Sequence, residues 1–181
     1  YLGENLLREN NEKDGLEQFE NRTIYDLNEQ LLESVGSSWD DISKIKISKF
    51  NNKKSKEIIN KIKLTLFNDF GSNKLFCIKD PRISLLIPIY VEIFNDLEIE
   101  PYFIIMNRNH IEVARSLEER NGFLFRKSFS LYDKYYDSIH NSILDNKKIE
   151  LEFDNLITNT KDCYNLIQKK FELELKPFSK I

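Results

Sequence analysis

Cysteine, glycine and proline are scarce in this chain. Its 181 residues include 2 Cys, 5 Gly and 4 Pro. So few glycines and prolines exclude a collagen, a flexible linker and a turn-dense β-sandwich. Two cysteines, Cys77 and Cys163, are too few for a disulfide scaffold or a cysteine zinc site. Two histidines, His110 and His140, are too far apart to read as a metal-binding pair. A net charge of -3 and a pI near 5.6 leave no excess of positive charge for general nucleic-acid binding. No apolar run approaches the roughly 18–20 residues needed to span a bilayer. These absences set an expectation: a cytoplasmic protein with reduced cysteines, no metal, no nucleic-acid partner and no membrane span.

What is present supports a packed core. Hydrophobic residues make up 40% of the chain and charged residues 31%, with a mean hydropathy of -0.50. Helices are read from apolar positions recurring every three or four residues. One stripe is Ile24, Leu27, Leu31, Leu32 and Val35, stopped by Gly36. A second is Ile58, Ile59, Ile62, Leu66, Phe67 and Phe70, opened by the polar patch 51–56. A third follows Pro81 and runs from Leu85 to Leu97, with Pro88 expected near its first turns, where proline costs less. Further helices are expected over about 110–121, 125–145 and 159–173.

Short apolar runs lie between these helices. Lys74–Lys79 and Tyr102–Met106 are nearly continuous and predict strands buried on both faces, with Cys77 in the core. Ile149–Phe153 alternates and predicts a strand nearer an edge. Strand and helix in alternation imply an α/β fold with a parallel sheet flanked by helices. In such folds ligands sit beyond the carboxyl ends of the strands. Those ends carry Lys79-Asp80-Pro81-Arg82 and Asn107-Arg108-Asn109-His110. Lys79, Arg82 and Arg108 are therefore expected to converge on one rim, beside a helix N-terminus, as an oxyanion site.

Lys79-Asp80-Pro81-Arg82, followed by Leu86-Ile87-Pro88-Ile89-Tyr90, resembles a segment of bacterial sulfotransferase-family proteins. Arg108-Asn109, then Glu112-Val113-Ala114, Ser116-Leu117 and Arg120, is similar to that family's 3′-phosphate-binding segment, with the same separation of Arg and Ser. Phe19-Glu20-Asn21, Leu27-Asn28-Glu29 and Trp39-Asp40, within the stretch from Gly15 to Trp39, resemble the region after the family's phosphosulfate loop. Leu131-Tyr132 with Tyr135, and Glu152-Phe153 with Leu156, extend the likeness to about residues 3–160. The chain departs from the pattern at His110, usually Pro, and at Tyr90 and Tyr132, commonly Trp. It also lacks the Gly-rich phosphosulfate loop, which the pattern puts upstream of Gly3.

The resemblance implies a P-loop NTPase-like sulfotransferase fold, with residues 1–181 as one domain missing its N-terminal piece. It implies 3′-phosphoadenosine-5′-phosphosulfate as co-substrate, and sulfuryl transfer to a hydroxyl or amine of an acceptor, such as a carbohydrate. Arg108 and Ser116 would grip the 3′-phosphate, with Arg82 and Arg120 as further anion ligands. Glu20 would be the base, with Asp80 its competitor. Asp80 could instead pair with Arg82 or Lys79 and orient them. Lys79 would reach the sulfuryl oxygens. The other reading is a non-catalytic sulfotransferase-like remnant or interaction domain. A kinase-like P-loop domain ranks last, because no lysine-bearing glycine loop or Mg²⁺-binding pattern is present. Tyr132, Tyr135 and Tyr136 are expected to be mostly core, and His110 and His140 surface or capping residues.

Overall fold

The structure, a computed structural model, describes Tyr1, Leu6 and residues 19–176. Gly15 and the other residues of the sulfotransferase-like stretch before Phe19, Leu6 excepted, lie outside the described residues. Among the described residues the fold is α/β and mostly helical, with one small parallel sheet. The chain divides into two compact units, Tyr1–Ile99 and Glu100–Ile181.

Among the described residues the first unit holds three α-helices: α1 (Arg22–Glu33), α2 (Lys53–Phe70) and α3 (Ile83–Asp96). Asn21 caps α1, its side-chain oxygen accepting the Ile24 N–H, and Asn52 caps α2 through the Ser55 N–H. These caps satisfy donors that a helix start leaves unpaired. α1 buries Ile24, Leu27, Leu31 and Leu32, and α2 buries Ile58, Ile62, Leu66 and Phe70. The two stripes pack α1 against α2. Each such side chain contributes roughly 1.5–3 kcal/mol relative to exposure. Ser34 and Ser55 share a hydroxyl hydrogen bond of 2.6 Å between the end of α1 and the start of α2. α3 differs, because Leu85, Leu86, Ile87, Ile89 and Tyr90 are all buried, so it is apolar around most of its girth.

One sequence expectation holds in position but not in cost, and another fails in this unit. Pro88 falls near the start of α3 as expected, but in its second turn, past the positions that tolerate proline. It has no N–H for the carbonyl four residues back, so burial around α3 must hold the helix despite that missing bond. Residues 74–79 form no strand. Among the described residues their backbone has one ladder-like bond, from the Cys77 N–H to the Tyr1 carbonyl at 2.9 Å. Burial alternates, with Phe76 and Ile78 half-buried and Leu75, Cys77 and Lys79 exposed. Cys77 is thus a surface residue of an extended segment with one apolar side.

The second unit holds the sheet. β1 (Phe103–Asn107) pairs in parallel with β2 (Lys148–Glu152), Phe103 opposite Lys148 and Asn107 opposite Glu152. Helices α4 (His110–Asn121) and α5 (Phe125–His140) form the crossover and pack on each other. α6 (Phe153–Thr158) and α7 (Thr160–Phe171) follow and contact β2. α4 ends at Gly122, whose φ of 67° suits a residue without Cβ. β1 is buried on one face only: Ile105 is inside, while Ile104 and Met106 are exposed. The expectation of burial on both faces fails because, among the described residues, the sheet has two strands and one covered face. α5 stops at His140 and not near 145, and residue 153 opens α6 instead of ending the strand.

Candidate functional site

In the first unit the extended segment before α3 delivers Lys79, Asp80 and Arg82 to the start of α1. Asp80 is buried, with its side chain 1% exposed. Its Oδ1 accepts the Arg82 backbone N–H at 2.9 Å and Arg82 Nη1 at 3.0 Å. Its Oδ2 accepts Nδ2 of Asn28 at 2.9 Å. The Asn28 oxygen in turn accepts the Tyr90 hydroxyl at 2.8 Å. Arg82 also bonds Glu29 through Nε, lies 3.8 Å from Glu20 Oε2, and stacks 3.9 Å above the Tyr25 ring. Lys79 Nζ donates to Glu20 Oε1 at 2.5 Å.

The charges in this cluster are close to balanced. Two cations, Lys79 and Arg82, meet three carboxylates, Glu20, Glu29 and Asp80. Burial alone would lower the Arg82 pKa, but the hydrogen bond it donates to Glu29 and the charge of Asp80 outweigh this and raise it. Burial pushes the Tyr90 phenol upward, as does the Asp80 charge, against the hydrogen bond to Asn28. Glu20, Lys79, Asp80 and Arg82 are thus brought together, with Asp80 holding Arg82 in place. Arg82 turns into this cluster, and Lys79 is its half-exposed member, at 52%.

Sequence reasoning gave Asn28, Glu29 and Tyr25 no role here. A signal was available for Asn28. It falls on the buried stripe of α1 with Ile24, Leu27 and Leu31, and a polar residue there needs partners.

In the second unit a cleft of about 380 Å³ opens beyond the carboxyl ends of β1 and β2. Asn107, Arg108 and His110 line it from the β1 side. Glu152 and Asp154 line it from the β2 side, and Tyr132 and Tyr136 from α5. Asn109 caps α4, accepting the Ile111 N–H at 2.9 Å. Arg108 Nε donates to Glu112 Oε2 at 3.1 Å, and its guanidinium lies 4.7 Å from the Phe153 ring centre. Glu112 and Ser116 are four residues apart, so they share one side of α4. Through Glu112, Arg108 is tied to the side of α4 that also carries Ser116. Ser116 is half-buried. Arg120 stands a further turn along, exposed, with Nε donating to Asn121 at 3.0 Å.

The aromatic residues sit differently from expectation. Tyr136 is 45% exposed, so it is not core. Its ring stacks on His140 at 3.9 Å, and His140 Nε2 lies 3.3 Å from Glu150. The Glu150 carboxyl is held low chiefly by its hydrogen bond from Asn107; burial opposes this and His140 adds to it. Glu152 and Asp154 were not singled out from the sequence as site residues. The strand-end rule that marked Arg108 applies to β2 as well and would have found them.

Among the described residues no group of three or more His, Cys, Asp or Glu is placed to hold a metal ion. No described helix is long and apolar enough to cross a membrane. The chain matches no family model, no curated protein and no solved structure.

Proposed function

We propose that this chain carries sulfotransferase chemistry on a P-loop-like fold: sulfuryl transfer from 3′-phosphoadenosine-5′-phosphosulfate to a hydroxyl or amine of an acceptor, a carbohydrate being the class the resemblance favours. One observation supports the reading most. At the carboxyl end of a parallel strand, Arg108 is hydrogen-bonded to Glu112, which shares one side of α4 with Ser116. An Arg and a hydroxyl in that relation suit a terminal phosphate, the first by charge and the second by a hydrogen bond. Arg120 adds a cation farther along α4.

The roles of Glu20, Asp80 and Lys79 belong to the first unit and are read there by themselves. In sulfuryl transfer the acceptor oxygen or nitrogen bonds to sulfur while the bond from sulfur to the 5′-phosphate oxygen breaks. A carboxylate takes the acceptor's proton, and a cation stabilises the charge on the transferred group. Glu20 supplies a carboxylate and Lys79 a cation, 2.5 Å apart. Asp80 fixes Arg82. Beyond Lys79 at the sulfuryl oxygens, no residue of this chain is assigned to the donor's 5′-phosphate.

A second reading, a sulfotransferase-like interaction domain without turnover, is favoured by a different observation. Arg82 is already matched by Asp80, Glu29 and Glu20, and Arg108 by Glu112.

Calorimetry with 3′-phosphoadenosine 5′-phosphate tests the choice. The first reading expects saturable binding that Arg108→Ala weakens by roughly 2–4 kcal/mol and Ser116→Ala by about 1 kcal/mol. Equal affinity of Arg108→Ala and parent ends the site assignment. Absence of binding to the parent chain favours the second reading.

A further inference from the structure

The cleft beyond β1 and β2 has an electrostatic character that its arginine conceals. Arg108 is committed through Nε to Glu112, and its flat face lies by Phe153. Glu152, the last residue of β2, and Asp154, in the first turn of α6, stand on the opposite side of the lining. The side chains of both are exposed, and neither forms an ion pair or side-chain hydrogen bond with a described residue. The N-terminus of α4 adds little positive field, because Asn109 caps it and Glu112 sits in its first turn. The cleft thus holds two carboxylates with no ion-pair partner among the described residues, beside an arginine already paired with Glu112.

The α5 side supplies an aromatic wall. The Tyr132 and Tyr136 rings are nearly parallel, 16° apart with centres 6.3 Å apart. The negative charge reaches this wall. The Tyr132 phenol is pushed up by burial first, then by Tyr136, Glu152 and Asp133. One face of Tyr136 is covered by His140, so the ring surface left to the cleft is that of Tyr132 and the free side of Tyr136. Carboxylates beside such rings suit an organic cation, which gains from charge pairing and from the aromatic surface. A volume of about 380 Å³ is near the lower end of ligand clefts and fits a small molecule.

We propose that this cleft binds the ammonium group of a small amine-bearing ligand, between the carboxylates of Glu152 and Asp154 and the wall formed by Tyr132 and Tyr136. The inference concerns binding and does not depend on the sulfuryl-donor reading.

The probe is D-glucosamine, with D-glucose as its neutral counterpart and D-glucuronate as an anion, each titrated into the chain and followed by amide chemical shifts. Glucosamine is expected to give saturable shifts at Glu152, Asp154 and Tyr132, with affinity in the millimolar range and falling as salt rises. Glucose is expected to bind at least roughly tenfold more weakly, and glucuronate more weakly still. Glu152→Gln and Asp154→Asn, both at exposed positions, are each expected to weaken glucosamine about threefold or more without changing the melting temperature. Equal binding of glucose and glucosamine overturns the proposal. So does parent-like binding by both variants, or no saturable shift with glucosamine. A chain that binds glucosamine but not 3′-phosphoadenosine 5′-phosphate keeps this inference and ends the donor reading. The reverse result ends this inference alone.

Discussion

The hydroxyl of Tyr90 donates to the side-chain oxygen of Asn28 at 2.8 Å, joining α3 to α1 inside the first unit. Both side chains are fully buried. The same Asn28 turns its amide to Asp80, so one small residue satisfies two buried polar groups at once.

Asn28→Ala is therefore expected to be costly. It strands the Tyr90 hydroxyl and one oxygen of Asp80 away from water, and a loss of roughly 2–4 kcal/mol follows. Tyr90→Phe removes only one partner and is expected to cost about 1 kcal/mol. Denaturant melts of the three proteins check this order. A cost for Asn28→Ala no larger than that of Tyr90→Phe contradicts it.

The pH dependence on the alkaline side follows from Tyr90. An unfolded tyrosine titrates near 10.0, and in the fold this one is raised well above that. The native state then keeps a proton that the unfolded chain gives up. The contribution is fully present below about pH 10 and is lost as pH rises above it, at up to about 1.4 kcal/mol per pH unit. Stability curves measured from about pH 9 to 11 should fall less steeply for Tyr90→Phe than for the parent. Parallel curves would remove Tyr90 as the cause.

Two neighbours in α2 make a control pair. Leu66 is fully buried, whereas Phe67 is 68% exposed. Leu66→Ala leaves a cavity and is expected to cost about 2–5 kcal/mol. Phe67→Ala is expected to stay within about 0.5 kcal/mol of the parent. Thermal melts of the two variants separate these outcomes, and a large loss in Phe67→Ala would show that its ring is covered in solution.

Glu112 gives a test of gain. It occupies Arg108 through Nε, so Glu112→Gln leaves the guanidinium charge without that partner. If Arg108 holds a phosphate, this variant binds 3′-phosphoadenosine 5′-phosphate about threefold to tenfold more tightly, and the effect shrinks in high salt. Unchanged or weaker binding in calorimetry counts against Arg108 as the anion ligand.

Local chemistry made some of the fold legible. α4 occupies residues 110–121 as its pattern predicts, because Asn109 caps one end and Gly122 supplies the left-handed residue at the other. β1 and β2 fall within a residue of their apolar runs. The stretch 74–79 misled because apolar content alone does not supply a pairing partner. Pro88 lies early in α3, which starts at Ile83 after the Pro81–Arg82 turn, yet one turn too far to escape the proline penalty, which burial overrides.

The site was half legible for a similar reason. A carboxylate two residues from an arginine is a visible pair, and the sequence offers Asp80 as a partner of Arg82 on that ground. Glu29 bonds Arg82 across 53 positions, and nothing in their spacing announces it. Glu152 and Asp154 bracket Phe153, where the strand gives way to a helix that the alternating pattern hid.

The buried ion cluster also governs how the first unit can open. Asp80 and Arg82 cannot leave together without stripping partners from Asn28 and Glu29 in α1, and Lys79 carries Glu20 with it. A bare carboxylate or guanidinium left inside is far too costly for fraying one piece at a time. Amide hydrogen exchange in the 79–83 turn and along the first half of α1 should consequently report one shared opening free energy, making these distant stretches of sequence a single cooperative unit.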